Sequence, residues 1–188
     1  MNKRDQKRVF IGIPAGDQVK SILPLLKSAV NYNPRHIKWI PLDNIHLTLS
    51  FLGDISINDI PDIVQVVEQN ITTAQFQLTI SETGVFPSSK SPKVLWLGID
   101  KGIDALKLLH EQVGRSVSEF KDNYENNTFI PHISIARIRR SHRKIDVLPL
   151  LNSVYSPIDL EVNSISMYES KLLPEGAQYT IINTFPLN

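Results

Sequence analysis

The chain has 188 residues, 20 Lys+Arg against 19 Asp+Glu, a net charge of +1 and no cysteine. That length can bury a core as one or two domains. The near-zero charge argues against gripping long nucleic acid by bulk electrostatics, though a small or local anion fits, and the missing cysteines exclude disulfides, thiolate nucleophiles, Cys-ligated zinc and iron–sulfur clusters.

The basic start, which includes Lys3, Arg4, Lys7 and Arg8, leads into an apolar run that stops at Pro14. That run is too short for the core of a signal peptide, and no stretch approaches the roughly 20 apolar residues of a membrane span. The expectation is a soluble cytoplasmic protein with no membrane partner. Val9–Ile13 reads as a buried strand. Residues 17–30 read as an amphipathic helix that Pro24 should kink or delay. Strand patterns follow at 37–40 and 45–52. Ser56 is a plausible N-cap for a helix carrying Ile60, Ile63, Val64 and Val67 on one face. Phe76, Leu78 and Ile80 alternate as a half-buried strand does, and 84–92 reads as a loop. Val94–Ile99 suits a central strand, and Ile103 to Phe120 carry the clearest helical period. Phe129–Arg137 reads as a strand, a basic segment runs to Lys144, and further strands are expected within 157–169 and 177–186. No low-complexity linker divides the chain. Irregular alternation with short turns predicts an α+β fold rather than a doubly wound sheet.

Two segments resemble each other nearly half a chain apart: Ile45-His46-Leu47-Thr48-Leu49 and Pro131-His132-Ile133-Ser134-Ile135. Alternate side chains of a strand share a face. His46 therefore lies with Thr48 and His132 with Ser134, while the apolar residues between them face the core. A single His-x-Thr is commonly structural; two copies on facing strands would gather two imidazoles and two hydroxyls around one cavity. Such a cavity suits phosphodiester chemistry. An unperturbed imidazole pKa of roughly 6.5 lets one histidine act as base and the other as acid. Hydroxyls can donate to phosphoryl oxygens as charge develops. The set contains no carboxylate or thiolate, so no metal is demanded.

These motifs resemble the paired His-x-Thr/Ser-x motifs of the 2H phosphoesterase superfamily, nearest to its bacterial and archaeal RNA 2′,3′-cyclic phosphodiesterases, also called 2′-5′ RNA ligases. The resemblance extends to the flanks. Arg8-Val9-Phe10-Ile11-Gly12-Ile13 looks like the family's opening strand. Trp39 and the run Asn44–Gly53 look like its first motif block. Val85-Phe86-Pro87, Val94–Gly98, Phe129–Arg137, Tyr168-Glu169-Ser170 and Gly176–Tyr179 follow in order. Ser134 stands where many relatives carry Thr; it keeps the hydroxyl and loses the methyl that stiffens the rotamer.

The resemblance implies one bilobal domain over 1–188, with two mainly antiparallel sheets and flanking helices related by a pseudo-twofold axis around a central cleft. It implies a monomer without cofactor or metal. The substrates would be RNA ends or small nucleotides bearing a 2′,3′-cyclic phosphate, opened to a 2′-phosphate, with weak reverse 2′-5′ ligation. His46 would be the proton donor and His132 the acceptor, a distinction on which the sequence itself is symmetric. Competing expectations are another small cyclic phosphate, such as that of ADP-ribose, and a non-catalytic nucleotide-binding module.

Arg137 stands where the family places a phosphate-contacting arginine, and a guanidinium suits phosphate. Its odd offset from His132 points it to the opposite face unless a bulge re-aims it. Phe10, Phe129, Trp39, Trp96 and Tyr179 are candidates for stacking on a nucleobase, Phe10 and Phe129 first among them, with core packing as the competing role for each. Arg139, Arg140, Arg143 and Lys144 could hold RNA upstream or be solvated surface. His36, His110 and His142 match no motif. There is no P-loop, His-Glu-x-x-His or Gly-x-Ser-x-Gly.

Overall fold

A computed structural model describes residues 5–30, 36–121, 128–139, 145–174 and 176–188. Chain order is β1 (Gln6–Pro14), α1 (Gly16–Val19), α2 (Leu23–Ala29), β2 (Ile37–Trp39), β3 (His46–Ser56), α3 (Ile60–Asn70), β4 (Phe76–Phe86), β5 (Val94–Lys101), α4 (Ile103–Ser116), β6 (His132–Ile138), α5 (Leu148–Leu151), β7 (Ile158–Val162), β8 (Ser164–Leu173) and β9 (Gly176–Pro186). The fold is α+β. Antiparallel strands run in the order β7-β4-β5-β6-β3-β1-β8-β9, with β2 pairing the far end of β6. Two four-stranded halves, β7-β4-β5-β6 and β3-β1-β8-β9, thus meet along β3 and β6. Among the described residues, one backbone pair joins those strands, Leu47 with Ile133. The expected two sheets are therefore two halves of one, which part after a single pair and leave a cleft between them.

The halves repeat each other in detail. Leu47 pairs Ile13 of β1 as Ile133 pairs Leu97 of β5, and Thr48 pairs Gly12 as Ser134 pairs Trp96. In both strands the register then slips by one residue. Ser50, not Leu49, pairs Ile11; Ala136, not Ile135, pairs Leu95. A bulge sends two successive side chains to one side. Leu49 and Ser50 are both buried, as are Ile135 and Ala136. The carbonyls that each bulge removes from the ladder find other donors, as buried backbone groups must. Leu49 O accepts from His110 Nδ1 of α4 at 2.8 Å. Ile135 O accepts from the Ile40 amide at 2.9 Å.

Apolar side chains of the inner face, among them Ile11, Ile13, Leu47, Leu97 and Ile133, join one buried core. Helices α3 and α4 pack on the half containing β3 and β9; α1 and α5 pack against β7 and β4. The other face stays open.

Several element boundaries differ from expectation for identifiable reasons. The first helix is split, with Pro24 in the first turn of α2, where its missing N–H costs nothing. Ser56 does accept from the Asn58 amide, but it opens a single tight turn before α3 starts at Ile60. The strand expected to end near Ile80 runs on to Phe86, through residues read as loop. Gly84 lies in that extension because a Cβ there would overlap the ring of its neighbour Trp96. Gly84→Ala should therefore cost about 1–3 kcal/mol by overpacking. Urea unfolding checks it, and Trp96→Leu in the same chain should recover most of the loss. Among the described residues no helix is long and apolar enough to cross a membrane.

Candidate active site

His46 opens β3 just after the tight turn Leu42–Asn44, and His132 opens β6 just after residues 128–131, which lie outside any helix or strand. His46 Nδ1 lies 2.7 Å from Asn44 O, and His132 Nδ1 lies 2.8 Å from Ile130 O. A carbonyl only accepts, so in both rings Nδ1–H donates and Nε2 is left for a ligand. Each ring is thus fixed by the carbonyl two residues before it. In its neutral form Nε2 takes a proton; in the charged form the same atom gives one.

The register set by Leu47 and Ile133 places His46 across from Ser134 and Thr48 across from His132. Imidazoles and hydroxyls therefore alternate around a square on the open face. The four side chains are half-buried, whereas Leu47, Leu49, Ile133 and Ile135 beneath them are buried.

The two imidazoles differ in surroundings. His46 stacks on Phe10 at 4.6 Å between ring centroids and meets Tyr179 edge-on at 5.2 Å. Burial among these rings lowers its pKa to about 4, against a raising contribution from the Asn44 carbonyl, with the charges of His132 and Arg137 lowering it further. His132 has Phe86 edge-on at 4.9 Å and Trp96 at 6.3 Å. In the empty cleft His46 is neutral at pH 7, and an anion bound beside it favours its charged form. NMR titration of the free protein should find His46 changing charge near pH 4 and moving upward with inorganic phosphate bound. The unfolded chain takes up this proton near the ordinary value of 6.5, while the folded chain resists it until about 4. Stability therefore falls as pH drops through that window, by about 3 kcal/mol at most from this group. His46→Gln should flatten that part of the profile.

The bulge decides Arg137. Ile135 and Ala136 both point to the core, so Arg137 returns to the face of His132 and Ser134. Its charge acts on both His46 and Tyr179, which places it beside the first half's histidine. The parity objection assumed a regular strand, and the strand is not regular.

The two phenylalanines offer less than expected. Phe10 does face the cleft, but at 2% exposure it is a floor under His46, Tyr168 and Tyr179 rather than an open platform. Phe129 lies flat on His110 at 3.9 Å and packs against the core. Sequence reasoning passed over Phe51, which is 63% exposed and 5.8 Å from Phe10. It occupies the position in β3 that Arg137 occupies in β6, and the repeated bulge was the signal. Lys7 pairs with Glu169 at 2.9 Å. Arg139 is exposed at the end of β6; Lys3, Arg4, Arg140, His142, Arg143 and Lys144 lie outside the described residues. Among the described residues no group of three or more His, Asp or Glu is placed to hold a metal ion.

The model of the 2′-5′ RNA ligase superfamily matches residues 18–172. The RNA 2′,3′-cyclic phosphodiesterase of Aquifex aeolicus is 32% identical over 190 residues, covering 96% of this chain and 97% of that protein. The protein of the same name from Thermotoga maritima is 28% identical over 176 residues, covering 93% and 92%. Among solved structures, E. coli LigT complexed with 3′-AMP superposes with a TM-score of 0.77 at 21% identity, over 97% of this chain and 99% of that one. TT0787 of Thermus thermophilus gives 0.76 at 24% identity, over 96% and 97%. Those two likenesses establish the shared fold. With the family model spanning both histidine motifs and most of the sequence between strand β1 and the end of β8, the chain belongs to the 2′-5′ RNA ligase superfamily.

Proposed function

We propose that the protein is a phosphodiesterase that opens 2′,3′-cyclic phosphate ends of RNA or small nucleotides to 2′-phosphates. One observation carries the reading. Two imidazoles, each held through Nδ1 by the carbonyl two residues before it, share one open face with two hydroxyls and an arginine. Relatives over nearly the full chain carry the name RNA 2′,3′-cyclic phosphodiesterase.

In this mechanism His132 Nε2 takes a proton from water as its oxygen adds to phosphorus. The P–O3′ bond breaks, and His46 Nε2 gives its proton to O3′. His46 is neutral in the empty cleft, so the anionic diester itself draws the proton onto it; the acid is made by the substrate. Thr48, Ser134 and Arg137 donate to the phosphoryl oxygens as negative charge builds. No step needs a metal, because acid, base and charge stabilisation all come from side chains.

A short RNA with a 2′,3′-cyclic end tests the reading. The expected product carries a 2′-phosphate, assigned by phosphorus NMR or by its resistance to a 3′-phosphatase, and turnover persists in EDTA. A 3′-phosphate product or no turnover would overturn the reaction; loss in EDTA restored by a divalent ion would overturn the metal-free mechanism.

A further inference from the structure

In the sheet, β8 and β1 separate β9 from β3, yet the first residues of β9 lie against the tight turn that leads into β3. Asn44, the last residue of that turn, donates through Nδ2 to Ala177 O at 2.7 Å. The neighbouring Gly176 has a φ of 143°, a conformation open to glycine, and lies against Lys38 Nζ of β2. Two residues beyond Ala177, Tyr179 meets Phe10 edge-on at 4.9 Å and His46 at 5.2 Å. The outer end of the β8–β9 hairpin therefore curls over the open face of the first half instead of extending the sheet outward.

Asn44 is bonded at both ends. Its backbone carbonyl accepts from His46 Nδ1 at 2.7 Å, and its side chain holds the hairpin. Asn44 and Ala177 are both half-buried, where an amide and a carbonyl are costly to leave unpaired. Leu172 and Leu173, on the other strand of the hairpin's end, are exposed, so apolar packing anchors that end weakly. The groups facing the His46 imidazole come from four strands: Phe10 of β1, Tyr168 of β8, Tyr179 of β9, and His132 and Arg137 of β6. Of these, Tyr179 stands nearest in sequence to the bond from Asn44. Burial among the rings keeps His46 neutral in the empty cleft. A hairpin that swung away would admit water to the imidazole and favour its charged form.

We infer that Asn44 is a positioning residue: its carbonyl orients His46, and its side-chain amide latches the β8–β9 hairpin so that the Tyr179 ring is held against that imidazole. The asparagine touches no reacting atom and acts through the histidine and the tyrosine. Its purpose rests on the phosphodiesterase reading above, in which the bound diester, not solvent, draws the proton onto His46. With the hairpin latched, the imidazole waits neutral behind the ring. With it loose, solvent charges the imidazole before any substrate arrives, and each binding event has to order the hairpin first.

Asn44→Ala removes the side-chain bond and leaves the carbonyl in place. Amide hydrogen exchange over residues 177–181 should quicken about 3–10-fold, the loss of one hydrogen bond. In NMR titration of the free protein, His46 should take up its proton near about pH 5 instead of about 4. Asn44→Ser, too short to reach Ala177 but suited to a tight turn, should do the same and serves if the alanine variant does not fold. Tyr179→Ala should raise the titration likewise, and adding Asn44→Ala to it should raise it no further, because the asparagine acts through that ring. The KM for adenosine 2′,3′-cyclic phosphate should rise about 3–10-fold in Asn44→Ala. Unchanged exchange, an unmoved His46 titration or additive shifts in the double variant would overturn the latch, and an unchanged KM would overturn its part in the reaction. No turnover by the unaltered protein would overturn the phosphodiesterase reading instead; exchange and titration, which need no substrate, would still decide the latch.

Discussion

His46→Ala and His132→Ala should each lower kcat by about 10²–10⁴-fold on a nucleoside 2′,3′-cyclic phosphate, the usual loss when a positioned acid or base is removed. The double variant should lose less than the product of the two single losses, since the imidazoles act on one proton-transfer sequence. Both rings are anchored through Nδ1, so His→Gln keeps a polar group in place but offers no titratable nitrogen, and it should be about as damaging as alanine. His46→Ala also removes a ring stacked on Phe10, so its folding is checked by circular dichroism before its rate is interpreted. A variant that keeps its fold and turns over at the unaltered rate would remove that histidine from the chemistry.

Arg137→Ala should lower kcat/KM by about 10²-fold with the same small substrate, comparable to losing a preorganised donor to a developing oxyanion. Arg137→Lys should recover only part of this, because a point charge does not reproduce a planar fork. Arg137 is exposed and lies on β6 between Lys38 of β2 and Val94 of β5, so neither change should disturb folding. Using a mononucleotide keeps the test away from contacts with the rest of an RNA chain. Should Arg137→Ala match the unaltered protein, charge stabilisation would fall to Thr48 and Ser134 alone.

Much of the site could be read from the sequence because its elements are local and periodic. His46 with Thr48, and His132 with Ser134, follow from the two-residue period of a strand alone. What escaped was every feature set by contacts distant in sequence. The bulges at Leu49 and Ile135 have no glycine or proline to mark them; they are held by a helix histidine, His110, and by the amide of Ile40. Parity therefore gave the wrong face for Arg137 and passed over Phe51. The extension of β4 through Gly84 was hidden for the same reason, since that glycine is explained by a tryptophan one strand away. Phe10 was chosen as a platform because aromatic side chains stack on bases, but burial decides availability, and burial belongs to the whole fold.

The repeated bulge gives the cleft a direction. In each half it works as a half-period phase shift, turning the next side chain back to the open face. The residue delivered is a cation in one half, Arg137, and a ring in the other, Phe51. Because β3 and β6 run antiparallel, the two lie at opposite ends of the seam. Arg137 stands beyond His46 and Ser134, and Phe51 beyond Thr48 and His132. The symmetry that gives both halves the same motif is broken again at the next step outward. The cleft has an anion-seeking pole and an apolar pole, and a ligand with a charged end and a flat uncharged end has one way to lie along it.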